Sequence, residues 1–106
     1  MTRQMIRDLS PRLTGDQRRY LRGLAHELNP VVLVGQRGIS DNLLENVEAA
    51  LLAHELIKVK VHGGDEIAAV AESLHERTGA QIAQHIGHIL VLYKPHPKEP
   101  EIKLPT

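Results

Sequence analysis

The chain has 106 residues, enough for one small domain with a single core and too few for two. Cys, Phe and Trp are absent and only two Tyr occur, so disulfides, thiolate metal sites, thiol nucleophiles and rows of base-stacking aromatics are all excluded. Net charge is formally zero at pH 7, which disfavours a uniformly basic nucleic-acid binder but leaves a local basic face open.

Residues 1–13 read as a mobile N-terminal lead, polar and interrupted by Ser10-Pro11. The lead carries Arg3, Arg7 and Arg12 without the apolar stretch of a signal peptide. Thr14-Gly15-Asp16-Gln17 is a capping box that opens a first helix. Leu21, Leu24, Ala25 and Leu28 repeat at the spacing of one helical stripe, and the helix is expected to stop near Leu28-Asn29, ahead of Pro30. Arg18, Arg19 and Arg22 lie off that stripe.

Val31-Val32-Leu33-Val34 is too short and too β-branched for a helix, which predicts a buried strand. Gly35-Gln36-Arg37-Gly38 follows, a Gly-x-x-Gly loop in which two residues without Cβ allow a sharp turn and close approach by another chain. Ser40 then caps a second helix, about residues 41–53, with Leu43, Leu44, Val47, Ala50 and Leu51 facing inward. That helix directs its unpaired N–H groups and positive dipole end at whatever occupies the loop, and Arg37 adds a planar cation suited to phosphate.

From Leu56 to His62, Ile57, Val59 and Val61 alternate with Lys58, Lys60 and His62, the pattern of a half-buried strand with one cationic face. Gly63-Gly64-Asp65 reads as a turn with Asp65 as an N-cap. A third helix carries Ile67, Val70, Ala71 and Leu74 on its core face and ends at Gly79. Two strands, residues 81–86 and 89–93, are separated by the two-residue hairpin loop Gly87-His88. Residues 96–106 form an extended Pro-rich tail in which Ile102 and Leu104 could dock as an edge strand. The order α-β-α-β-α-β-β predicts an α/β fold, a small sandwich with a mixed four-stranded sheet, and the domain proper spans 14–95.

Charge is segregated. Residues 1–38 hold seven Arg against Asp8, Asp16 and Glu27, whereas residues 39–57 hold only Asp41, Glu45, Glu48 and Glu55. Cations from the first helix (Arg18, Arg19, Arg22), the loop (Arg37), the strand face (Lys58, Lys60) and the hairpin (His88, Lys94) surround the Gly-x-x-Gly turn. Their joint placement points to a phosphate backbone as the ligand.

Catalytic patterns do not develop. His85-Ile86-Gly87-His88 repeats the letters of a synthetase motif, but it straddles a hairpin and lacks the nucleotide-binding fold and partner motif, so it reads as coincidence. The seven His show no ligand-like spacing, no nucleophile elbow surrounds Ser10, Ser40 or Ser73, and no P-loop is present. No enzyme, metal site or cofactor is expected. Nor does any run approach the length of a membrane span.

The blocks from Leu21 to Ile39, together with His54-Glu-Leu-Ile-Lys-Val-Lys60, Thr78-Gly-Ala80, Ile86-Gly87 and Leu90-Val-Leu-Tyr-Lys-Pro95, strongly resemble the YhbY family of bacterial RNA-binding proteins. Their domain is the chloroplast RNA splicing and ribosome maturation (CRM) domain. The resemblance implies a fold like the C-terminal domain of translation initiation factor three. It also implies RNA binding through the Gly-x-x-Gly loop and neighbouring basic surface, and association with precursors of the large ribosomal subunit, whose ribosomal RNA would be the ligand. Asn29 and His88 stand where family members often carry Lys or Arg, which leaves room for weaker or more salt-sensitive binding. The expectation is a cytoplasmic, monomeric, non-catalytic RNA-binding factor. The alternative is a protein-interaction adaptor that keeps the fold and docks through the acidic second helix.

Overall fold

The computed structural model describes residues 13–35, 38–62 and 66–105. The Gly63-Gly64-Asp65 turn, Gln36, Arg37 and nearly all of the lead lie outside these residues. The elements are α1 (Gly15–Ala25), β1 (Pro30–Val34), α2 (Asp41–His54), β2 (Leu56–Val61), α3 (Ile67–Thr78), β3 (Gln81–Ile86) and β4 (Ile89–Tyr93). One mixed sheet has the order β1-β2-β4-β3. β1 runs parallel to β2, while β4 is antiparallel to both of its neighbours and lies between β2 and β3.

Local signals act where the sequence places them. Gln17 N–H donates to Thr14 Oγ1 at 3.1 Å and Thr14 N–H donates to Gln17 Oε1 at 3.0 Å, closing the capping box. Leu43 N–H donates to Ser40 Oγ at 3.1 Å. α3 stops at Gly79, whose φ of +80° is the left-handed conformation that a Cβ disfavours. α3 begins beside Glu66, which makes no side-chain cap bond.

α2 and α3 cover one face of the sheet. Leu44, Val47, Leu51, Ile67, Ala71 and Leu74 pack there against Val32, Val34, Ile57, Val59, Leu90 and Leu92. On the other face, α1 buries only Leu21 and Ala25, against Leu56, Ala83, Val91 and Tyr93. Burying Leu21 fully contributes roughly 1.5–3 kcal/mol, so α1 is held by few contacts.

Three expectations are corrected. α1 ends at Ala25, not Leu28: the chain turns early to enter β1 at Pro30, leaving Leu24 and Leu28 exposed. β1 is not buried on both faces, because α1 does not reach this edge; Val31 and Leu33 are 55% and 58% exposed. Ile102 and Leu104 form no edge strand. Together with Leu13 they pack beside Leu21 and Tyr93, as side chains on the α1 cluster.

Glu55 holds the tail in that place. It occupies the single position between α2 and β2 at φ +64°, strained for a residue other than glycine. Its buried carboxylate accepts from the N–H groups of His96 (2.6 Å), Ile102 (2.8 Å) and Glu101 (3.0 Å). Burial pushes the Glu55 carboxyl up, but these donors and the neighbouring His96 ring outweigh it and hold it below its ordinary value. Burial, then the Glu55 charge, pushes the Tyr93 phenol above its ordinary value.

Candidate nucleic-acid interface

Because β1 and β2 are parallel, their C-terminal ends emerge side by side, and His62 N–H donates to the Val34 carbonyl at 2.8 Å. β4 starts at this end, since Ile89 pairs with Lys60, and Val61 N–H donates to the His88 carbonyl at 2.7 Å. The Gly35–Gly38 turn, His62 and the Gly87-His88 hairpin therefore share one end of the sheet. Gly38 N–H donates to the Gly35 carbonyl at 3.0 Å. Gly38 has φ +75° and needs glycine for its conformation, whereas a Cβ on Gly35 would meet no atom within 4 Å. The exposed backbone at Gly35 is open to close approach.

The α2 N-terminus faces this loop, but its first turn already holds Asp41, whose carboxylate pairs with Arg77 at 3.5 Å. The helix dipole is thus partly answered from within the chain.

Lys58 and Lys60 point away from Val59 and Val61, onto the α1 face of the sheet, with Lys58 half-buried and Lys60 exposed. Arg22 reaches toward Lys58 from α1. Arg22, Ala25, His26, Lys58, Gln84, Ile86 and Ile89 line a cleft of about 430 Å³ between helix and sheet. Arg18, one helical turn before Arg22, is exposed on the same side of α1. Arg19 is exposed too and pairs with Asp16 at 3.1 Å. His88 sits at the hairpin with Nδ1 3.2 Å from the Val61 carbonyl.

Lys94 does not belong to this group. It follows Tyr93 at the opposite end of β4, roughly 17 Å along the strand direction from Ile89. Its ammonium donates to the Thr78 carbonyl at 2.7 Å, capping the C-terminus of α3. The acidic residues Asp41, Glu45 and Glu48 are exposed on α2, across the sheet from the cations. Neutral net charge therefore conceals two oppositely charged faces.

Sequence reasoning missed the aliphatic component. Leu33 and Val31 in β1 and Ile86 in β3 are exposed, and alternation could assign a strand residue to a face but could not say that the face lies uncovered. Among the described residues, no three His, Cys, Asp or Glu side chains gather in metal-binding geometry, and no helix is long and apolar enough to cross a membrane.

This architecture, among the described residues a four-stranded mixed sheet with three helices, is that of a known class. Residues 13–94 match the CRS1 / YhbY (CRM) domain, and the chain belongs to that family. It is 46% identical over 95 residues to a Haemophilus influenzae protein named RNA-binding protein, covering 88% of this chain and 95% of that one. It is 42% identical over 95 residues to the probable RNA-binding protein YqeI of Bacillus subtilis, covering 88% and 99%. The solution structure of the hypothetical protein SAV1595 from Staphylococcus aureus superposes with a TM-score of 0.76 at 40% identity, covering 88% of this chain and 99% of that one.

Proposed function

We propose that this protein is a non-catalytic RNA-binding factor acting on precursors of the large ribosomal subunit in the cytoplasm, with ribosomal RNA as its ligand. The observation that carries the reading is one face of the sheet that runs from the exposed Gly35 backbone at its end to Lys60, in register with Leu33, and on to Lys58 and Arg22 in the cleft beside α1. The glycine turn lets a phosphate approach main-chain N–H groups, and the cations neutralise its neighbours along the strand. Relatives named as RNA-binding proteins support the choice of nucleic acid. The ribosomal assignment rests on resemblance to the family.

Sedimentation of cell extract through a sucrose gradient, with and without ribonuclease, tests this reading. Co-migration with large-subunit precursors that disappears after ribonuclease is expected. Ribonuclease-resistant association with other proteins would instead favour docking through the exposed stripe Asp41, Glu45, Glu48 and Leu52 on α2.

A further inference from the structure

The open half of the α1 face carries more apolar surface than a phosphate site needs. Across its loop end, Leu33, Lys60, Ile89 and Ile86 form one row over all four strands, each paired with the next. Alternation places all four on the same side, opposite the Val32, Val34 and Leu90 side chains of the α2 and α3 core. Leu33 and Ile86, at the two sheet edges, are 58% and 60% exposed. At the next level Pro30 pairs with Lys58, the exposed Val31 falls at the irregularity that follows it, and Arg22 of α1 lines the cleft alongside Lys58.

Resting on the reading above, we propose that this row is a platform for an unpaired RNA segment. Bases lie on Leu33, Ile89 and Ile86, while Lys60, Lys58 and Arg22 take the phosphates. Charge selects an anionic partner: the cleft beside the row is lined by Arg22, Lys58 and His26 without a carboxylate, and the acidic stripe of α2 lies on the far side of the sheet. Apolarity selects the unpaired form. A duplex presents phosphates and hydroxyls to a protein surface and keeps the faces of its bases stacked inside, whereas a single strand can lay them on an apolar floor. The row spans roughly 14 Å from edge to edge, three strand spacings. Because the floor is aliphatic, contact is sequence-tolerant.

Fluorescence anisotropy on the full chain tests the platform, with a short unstructured RNA and the same RNA annealed to its complement as probes. The variants are Leu33→Ser/Ile86→Ser and, as a control across the sheet, Leu52→Ser. Both altered positions in the double variant are exposed, so its far-UV circular dichroism should match the parent's. The parent should favour the single strand, and the double variant should lose about tenfold on it while keeping its duplex affinity. The control should lose nothing. Equal affinity of the parent for both RNAs, or an unimpaired double variant, would overturn the platform and leave RNA binding standing. A parent that binds neither RNA would overturn the functional reading itself. A parent dimer that the double variant dissociates, with single-strand affinity intact, would assign the row to a second copy and overturn the proposal.

Discussion

Replacing Glu55 by Gln should release the C-terminal tail. The carboxylate serves three backbone donors, with Oε1 taking Glu101 and Ile102 and Oε2 taking His96 at 2.6 Å. An amide offers one acceptor oxygen, so its NH2 must face at least one of these N–H groups. The variant loses a charge-assisted bond and strands a buried donor, which together cost about 2–4 kcal/mol. For a domain of this size that lowers Tm by roughly 10–20 °C. Detachment of the tail would limit the loss, exposing Ile102 and Leu104 while the sheet stays intact. Thermal unfolding followed by circular dichroism, with hydrogen exchange resolved over residues 96–105, measures both. A pH series adds a second readout. The folded carboxyl lies below its ordinary value, so its contribution is present above the unfolded pKa and fades as pH falls through the folded one. Glu55→Gln should lack that acid-side loss. An unchanged Tm with tail amides as protected as in the parent would refute the latch.

Gly35→Asp should weaken RNA binding by about tenfold or more while leaving Tm nearly unchanged, because its Cβ meets open space; full affinity in a folded variant would remove the loop from the interface. Gly38→Asp should also lower Tm, through its positive φ. The double variant Arg22→Gln/Lys60→Gln should reduce the slope of log affinity against log salt by about 1.4 on single-stranded RNA, and an unchanged slope would place the phosphates elsewhere. Lys94→Met should cost about 1 kcal/mol through the lost cap on the Thr78 carbonyl. Its RNA affinity should equal the parent's, and a loss would return Lys94 to the binding surface.

Local chemistry was legible in the sequence, and long-range coverage was not. The capping box at Thr14, the cap at Ser40, the stop at Gly79 and the Gly87-His88 hairpin each depend on residues within a few positions of one another, and each forms. The cationic strand face at Lys58 and Lys60 follows from period-two alternation alone. Exposure of Val31 and Leu33 depends on how much of the sheet α1 covers, which the periodicity of neither element encodes. Glu55 binds donors 41 to 47 positions away and occupies a turn that glycine would ordinarily mark. Lys94 looked like one more cation near the hairpin. Its role emerged only when β4 carried it to the far end of the sheet, beside α3.

RNA should meet one face of this molecule, the face that carries Lys58 and Lys60. Titration of the isotopically labelled protein with a short unstructured RNA, followed by backbone amide NMR, tests it most directly. Shifts are expected at Gly35, Gly38, Lys58, Lys60, Arg22 and Ile86, with Glu45, Glu48 and Lys94 undisturbed. Shifts confined to α2, or spread evenly over both faces, would contradict it.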